Sequence, residues 1–317
     1  MRILELGNGS GATCRIAPGL GCAITGFHWR GRAILRPTPE SALAAANVRA
    51  ASCYALVPYS NRIADARLSF AGREYALARN FGDHPHAIHG VGWQRAWDVQ
   101  EATAHRARLA LVHDARGVNA TAWPWPFDAT LTFDLPEPVD DRSAVLVATL
   151  TIANTGPSAF PFGLGFHPFF PRDARTEAGF VAAAVYENDA TQLPLRRVAI
   201  PPAWQFDPPQ PSVGTAVDNL FTRWRGTATL VDRTTGFATE LAADRACRYL
   251  VVYAPRDAPF IALEPVTHET DAFNRHARGT ADTGFRTLPP GGSFSCTMRI
   301  AASAPDRSAF PATSSPS

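Results

Sequence analysis

One glutamate closes an apolar run in the segment PFIALEPVTHETDAFN. Because side chains alternate along a strand, Glu264 would share a face with Phe260 and Ala262. A carboxylate at the end of so apolar a run is either paired or functional. Partial burial would raise its pKa from the reference value of about 4.3, which suits a general base. The alternative is a glutamate held by an arginine in a structural ion pair.

A histidine follows two glycines in FPFGLGFHPFF. An extended backbone would place Gly163, Gly165 and His167 on one face, and Pro168 favours that conformation at His167. The missing side chains predict a hollow where a ligand can approach the imidazole. A core or edge histidine beside a β-bulge is the competing interpretation, and this segment alone does not decide between them.

Polar side chains occur in two further segments. Asn61 and Arg62 in LVPYSNRIADARLSF fit an apolar core poorly, and both can hold hydroxyl groups. Asp218 and Asn219 in VGTAVDNLF are expected in a loop before an apolar pair, where surface capping is the alternative.

Three histidines lie close together in GDHPHAIHGVGWQRAWDV. His84 and His86 could share a strand face, but His89 is out of phase, and no carboxylate or cysteine follows at a familiar ligand spacing. The sequence therefore predicts no metal site; one histidine of a polar loop would face a ligand instead. Trp93 and Trp97 are expected in the core, although an indole face can stack on a sugar. A metal-dependent β-barrel enzyme that uses the three histidines stays open as an alternative.

Along the chain around these groups the periodicity is mostly two, which is typical of β-strands. Alternation is clear in ATLTFDL, where Ala129, Leu131 and Phe133 share a face, and in AVLVATLTIAN, which PEPVDDRS joins to it in a hairpin-like connection. Many short strands between Pro, Gly and Asp turns predict an all-β sandwich or barrel. The further candidate strands are RARLALVHD, TATLVDR, FATELAA, RYLVVYA, PFIALE and SFSCTMRI. A helix is predicted in PESALAAANVRA, from Pro39 and Glu40.

The composition is typical of a soluble globular protein. The 317 residues are 46% hydrophobic and 18% charged, with a formal net charge of +2, which argues against nucleic acid as the main partner. We expect a single domain over 1–302, with IPPAWQFDPPQPSVG as a long loop, and a disordered tail over 303–317. An N-terminus without an apolar block, no run of membrane-spanning length and five cysteines without CxxC predict a cytoplasmic protein with no membrane partner.

The basic residues are all arginine, since none of the 30 is lysine. Schiff-base chemistry, pyridoxal phosphate anchoring and a P-loop lysine are therefore excluded. The weak glycine signals GNGSG and GLGC lack the spacing and the following helix of a dinucleotide site. No cofactor is predicted.

Five segments in this order, PYSNRI, AIHGVGW, GFHPFF, VDNLF and EPVTHETDAFN, resemble the aldose 1-epimerase (galactose mutarotase-like) family, and the resemblance runs from about residue 15 to residue 300. It implies a large antiparallel β-sandwich with an open cleft for a small-molecule aldose, in a monomer or homodimer. By position in the motifs, it implies His167 as general acid and Glu264 as general base. Where members acting on galactose often have a tyrosine, this chain has Phe169, so the sugar is not fixed by the resemblance.

The resemblance also implies four residues that hold sugar oxygens: Asn61, Arg62, His89 and Asp218. Two alternatives on the same fold stay open. A hexose-6-phosphate 1-epimerase would need a basic cluster at the cleft mouth, which thirty arginines could supply. A non-catalytic sugar-binding protein would keep Arg62 and Asp218 without needing the acid–base pair.

Overall fold

The computed structural model describes residues 1–138, 140 and 142–305, and these residues are mostly β-strand, as the alternating pattern predicted. The strands are β1 Leu4–Gly7, β2 Ala12–Ala17, β3 Ala23–Trp29, β4 Arg32–Ala33, β5 Ala55–Leu56, β6 Arg62–Ile63, β7 Arg67–Phe70, β8 Arg73–Ala76, β9 Ala87–Ile88, β10 Asp98–Ala102, β11 Arg106–His113, β12 Phe127–Asp134, β13 Ser143–Asn154, β14 Phe160–Phe162, β15 Gly165–Phe166, β16 Phe169–Pro171, β17 Thr176–Phe180, β18 Ala184–Asn188, β19 Pro194–Val198, β20 Gln210–Pro211, β21 Val217–Thr222, β22 Thr227–Asp232, β23 Ala238–Ala243, β24 Tyr249–Ala254, β25 Phe260–Val266, β26 Arg286–Leu288 and β27 Ser293–Ser303. The helices are α1 Glu40–Ala44, α2 Val118–Ala122 and α3 Ala272–Ala277, with 3₁₀ turns at Val48–Ala50, Ala64–Ala66, Gly92–Gln94 and Pro202–Trp204.

Two large antiparallel sheets organise the described chain. One has nine strands in the order β10-β11-β12-β13-β27-β23-β22-β17-β20, and the other runs β19-β18-β21-β24-β25-β15-β5, with β16 also paired to β25. Buried residues from both sheets, among them Leu131, Ile152, Val252 and Leu263, belong to one continuous apolar cluster. The prediction of an all-β fold with large antiparallel sheets is confirmed.

The hairpin of β12 and β13 shows why this sequence forms strands. Leu131 lies opposite Leu150, and every second residue of each strand is buried while the residues between are half-exposed. Burying one face of a β-branched, alternating segment stabilises it as a strand whose other face meets water. The predicted connection by PEPVDDRS is confirmed at its ends, while positions 139 and 141 within it lie outside the described residues.

The second large sheet presents both of its faces to protein. In β24 and β25, Val252 lies opposite Leu263 and points into the main core, whereas Val251 lies opposite Glu264 and points to the other face. Alternation thus separates a dry packing face from a face that carries a carboxylate. That second face forms the floor of a cavity that Val251 and Glu264 line.

The space at Gly163 and Gly165 is filled by the protein itself, so the expectation that these glycines leave a hollow for a ligand was wrong. FPFGLGFHPFF does not form one extended strand but divides into β14, β15 and β16. A Cβ at Gly163 would lie 1.7 Å from Cδ2 of His268, and one at Gly165 would lie 2.8 Å from Cγ1 of Val266. The glycines therefore let Val266, at the end of β25, and His268, just after it, pack closely against this segment.

The predicted helix is shorter than its pattern indicated. α1 ends at Ala44, and Ala46 adopts a left-handed φ of 51° before a 3₁₀ turn begins at Val48. Helix α3, which follows the strand that carries Glu264, was not predicted. Of the predicted tail, Ser303 ends β27 and 306–317 lie outside the described residues.

No helix in the residues that the structure describes has the length and apolar character needed to cross a membrane.

Gly163→Ala tests the close packing at His268. The ring accepts a hydrogen bond from the Ser60 backbone N–H at 3.1 Å, and a methyl group at position 163 would displace it. We expect the free energy of unfolding to fall by about 1–3 kcal/mol, as in other overpacked cores. Urea unfolding measures the loss. Gly19→Ala, where a Cβ meets nothing within 4 Å, is the control, and an equal effect of both substitutions would contradict the packing argument.

Candidate active site

The imidazole of His167 and the carboxylate of Glu264 meet in a cavity of about 430 Å³. Nε2 of His167 lies 3.2 Å from Oε1 of Glu264, and both side chains are buried. Glu264 projects from β25, while the turn between β15 and β16 brings His167 over it, held by a hydrogen bond from its backbone N–H to the Tyr54 carbonyl at 3.0 Å. Two residues 97 positions apart in sequence thus form one acid–base pair.

Burial acts on both members of this pair in the direction that opposes charge. It raises the pKa of Glu264 well above its ordinary value, with Asp218 adding to the effect and Arg62 opposing it. It lowers the pKa of His167 well below its ordinary value, and His89 and Arg36 lower it further. With no proton, the pair would contain a buried carboxylate. With two protons, it would contain a buried imidazolium. Burial therefore favours the form of the pair that holds one proton.

His89 faces the same cavity as a neutral hydrogen-bond donor. Its Nδ1 accepts a hydrogen bond from the Asn61 backbone N–H at 3.1 Å, and its own backbone N–H donates to the Asn61 carbonyl at 2.8 Å. Because Nδ1 is an acceptor, the ring proton is assigned to Nε2. Burial, together with Arg62, lowers the pKa of His89 to about 3, so the ring stays uncharged at neutral pH. An uncharged N–H donor in a cavity suits a hydroxyl or ring oxygen.

Arg62 is fixed between an amide and a carboxylate. Its Nη1 donates to Oδ1 of Asn61 at 3.0 Å, and its Nη2 lies 3.8 Å from Oδ2 of Asp218. Asn61 has a left-handed φ of 56°, which turns the chain so that both side chains reach the cavity. The expected loop at Asp218 was wrong, because the residue lies within β21 opposite Tyr253 of β24. A strand holds the carboxylate more rigidly than a loop would.

All six residues singled out from the sequence line this one cavity: Asn61, Arg62, His89, His167, Asp218 and Glu264. Sequence reasoning missed other parts of the wall, among them Arg36, Tyr54 and Tyr253. The Tyr54 ring lies 4.7 Å from the His167 ring, and the Phe169 ring stacks on the same His167 ring at 4.5 Å. No local spacing marks these residues, because each lies in an ordinary apolar or turn context.

The histidine cluster divides between the cavity and the core. His84 lines the cavity, whereas His86 is buried and accepts a hydrogen bond from the Asp65 backbone N–H at 2.9 Å. Within the described ranges, no three His, Cys, Asp or Glu side chains are grouped as a metal site would require. Trp93 and Trp97 are buried, as expected, and do not line the cavity.

A family profile and a curated protein both match most of this chain in sequence. The profile of the family described as aldose 1-epimerase matches residues 2–301. The uncharacterised protein YphB of Escherichia coli K12 is 30% identical over 291 residues, which is 88% of this chain and 92% of YphB.

Solved structures agree with this match. A crystal structure named as a candidate aldose 1-epimerase from Escherichia coli K12 superimposes with a TM-score of 0.83 at 25% identity, covering 96% of this chain and 99% of that one. Galactose 1-epimerase from Lactobacillus acidophilus shares the fold, with a TM-score of 0.75 at 18% identity over 95% of this chain and 94% of that one.

The buried histidines predict how stability depends on pH. Burial lowers the pKa of His268 to about 4 and, together with Arg62, lowers that of His89 to about 3. Below about pH 6.5, the unfolded chain therefore binds protons at these two histidines that the folded protein does not bind. The free energy of unfolding should therefore fall as the pH drops from about 6.5 toward 4, by at most about 1.4 kcal/mol per pH unit for each ring.

Urea unfolding of wild type and His89→Gln between pH 8 and 4.5 measures this dependence. The difference at pH 8 reports lost packing, because the ring is neutral in both states there. Below about pH 6.5 the variant should show the shallower slope. Parallel curves would contradict the assignment of His89 as a buried neutral ring.

Proposed function

The chain belongs to the aldose 1-epimerase family, and we propose that it is an isomerase that interconverts the α and β anomers of an aldose. The observation that carries the proposal is the 3.2 Å contact between His167 and Glu264 in the wall of a cavity of about 430 Å³. That volume lies within the range of about 300–1,000 Å³ usual for small-molecule sites.

Anomer exchange needs one base and one acid near the anomeric carbon. In the proposed reaction Glu264 removes the proton of the C1 hydroxyl, and the imidazolium of His167 protonates the ring oxygen as the C1–O5 bond breaks. The resulting aldehyde rotates about its C1–C2 bond. O5 then attacks the other face of C1, giving its proton back to His167, while Glu264 returns its proton to the carbonyl oxygen. Atoms and charges balance without a redox partner or a covalent intermediate.

The burial of the pair favours the ring-open stage of this cycle. Before ring opening, the reactive form is a carboxylate beside an imidazolium. After ring opening, it is a carboxylic acid beside a neutral imidazole. Since burial raises the pKa of Glu264 and lowers that of His167, the cavity stabilises the neutral form relative to the charged one. The pair is thus driven toward the state that accompanies the open-chain sugar.

The remaining polar groups supply what a sugar requires. Arg62 and Asn61 offer guanidinium and amide groups, His89 offers an N–H donor, and Asp218 offers an acceptor. Hydrogen bonds to charged partners are the stronger ones, so Arg62 and Asp218 are assigned the main role in holding hydroxyl groups. This supports an aldose as the substrate class.

A catalyst is favoured over a non-catalytic sugar-binding protein by the same pair. A binding protein gains nothing from a buried carboxylate whose Oε2 has no hydrogen-bond donor in the described part of the chain. Such a group lowers stability, so its presence is explained by a chemical role.

Glu264→Gln and His167→Asn test the acid–base assignment. Each substitution removes one proton-transfer group while keeping a side chain of similar shape. We expect the catalysed rate of mutarotation to fall by roughly 10²- to 10⁴-fold in each variant. Polarimetry of freshly dissolved aldoses measures the rate, and circular dichroism verifies the fold.

Glu240→Gln, which alters an exposed carboxylate paired with Arg299 on the nine-stranded sheet, is the matched control and should retain the wild-type rate. Near-normal rates in either active-site variant would remove the mechanism.

Arg62→Ala tests the assignment of Arg62 to substrate holding. Loss of a charge-assisted hydrogen bond should raise KM by roughly tenfold to a hundredfold with a smaller effect on kcat. Initial rates over a range of aldose concentrations separate the two constants. An unchanged KM would show that the guanidinium serves only to hold Asn61 and Asp218.

A further inference from the structure

Among the residues that the structure describes, three guanidinium groups line the cavity, and one of them has a carboxylate partner. Arg62 faces Asp218, with 3.8 Å between Nη2 and Oδ2. For Arg36 and Arg49, no carboxylate in the described ranges comes within the 4.0 Å of an ion pair, although both line the cavity. The wall thus carries positive charge beyond what its own carboxylates balance.

Arg36 is the more enclosed of these two cations. Its guanidinium carbon lies 4.0 Å from the centre of the Phe169 ring and 4.5 Å from that of Phe260. Its Nη2 donates a hydrogen bond to the Ala51 carbonyl at 2.9 Å, while its buried Nε has no acceptor within the described residues. Aromatic stacking and a single carbonyl orient the group but do not neutralise its charge.

The position of Arg36 relative to the acid–base pair indicates which part of a sugar it would meet. Phe169 contacts both groups, since its ring stacks on His167 at 4.5 Å and lies beneath the Arg36 guanidinium. In the proposed reaction His167 protonates the ring oxygen. That oxygen is bonded to C5, which carries C6, so in such a complex a substituent on C6 would lie on the side of the ring nearest this wall.

The positive charge of Arg36 also opposes the chemistry of His167. After burial and His89, Arg36 is the next cause that lowers the pKa of His167, which makes the imidazolium harder to form. An anion bound to the guanidinium would offset that effect at the moment when the substrate is in place. A neutral hexose would not offset the effect of Arg36 on the pKa of His167.

We propose that the substrate is an aldose with an anionic group on C6, a carboxylate or a phosphate, and that Arg36 binds this group. Arg49, which lies 5.0 Å from the centre of the Phe81 ring, adds positive charge to the same cavity. The inference rests on the proposed function for its catalytic consequence, whereas binding of the anionic sugar is measurable without turnover.

The test compares neutral and anionic sugars of the same configuration. Anomeric exchange is measured by NMR for D-glucose, D-glucuronate and D-glucose 6-phosphate, and for D-galactose and D-galacturonate, each corrected for its spontaneous rate. In wild type, kcat/KM for at least one anionic member should exceed that of its neutral counterpart by roughly tenfold to a hundredfold, the usual effect of one charge-assisted hydrogen bond.

Substitution of Arg36 should remove this preference. The anionic-to-neutral ratio should fall toward one in Arg36→Gln and stay higher in Arg36→Lys, which keeps the charge. Arg108→Gln, on an exposed position of β11 in the other large sheet, is the control and should keep the wild-type ratio. The glucuronate and 6-phosphate arms distinguish a carboxylate from a phosphate.

Two outcomes would overturn the inference. A wild-type ratio near one, or a ratio unchanged in Arg36→Gln, would end it and leave the proposed function standing. If no sugar is accelerated at all, the proposed function fails, and calorimetry decides the inference alone. Tighter binding of glucuronate or glucose 6-phosphate than of glucose, lost in Arg36→Gln, would support it. Equal binding, or binding of inorganic phosphate without any preference for the anionic sugars, would overturn it.

Discussion

The contact between Glu264 and His167 is the constraint on which the rest of the site depends. Two groups that ionise readily in water are placed 3.2 Å apart and enclosed, so neither can carry its charge alone without a large cost. Their one proton makes the pair stable as a unit and reactive toward a group that can both give and take a proton. A cyclic hemiacetal is such a group, because its C1 hydroxyl and ring oxygen are bonded to the same carbon.

The fold maintains this contact by separating rigid support from irregular connections. Glu264 and Asp218 project from neighbouring regions of one sheet whose opposite face is packed into the main core. Asn61, His89 and His167 come from short strands and turns over that sheet, joined to it and to each other by backbone hydrogen bonds. The carboxylates therefore have fixed positions, and the donors are set by turns with unusual backbone geometry, such as the left-handed φ of 63° at His89.

Sequence patterns predicted the strands better than the connections. Alternation identified β12 and β13, because one-sided burial leaves a direct signature in residue order. β25 is buried on both faces and was recognised instead as an apolar run that ends in a glutamate. Motif resemblance brought together the six polar residues of the cavity. The role of Gly163 was misjudged, since only the folded chain shows that His268 occupies the space beside it. Arg36 gave no signal either, because its significance comes from distant aromatic residues and from the charge balance of the whole cavity.

The protonation of His167 in the unliganded protein shows whether the imidazole and the Glu264 carboxylate behave as one unit. Nitrogen NMR of selectively labelled histidine, assigned with His167→Asn, follows the ring between about pH 5 and 8, the range that spans the reference pKa of histidine. We expect no titration step for His167 across that range, since the pair keeps its one proton throughout. An ordinary step near pH 6.5, with Glu264 ionised on both sides of it, would show that the two groups titrate independently and that they do not share one proton.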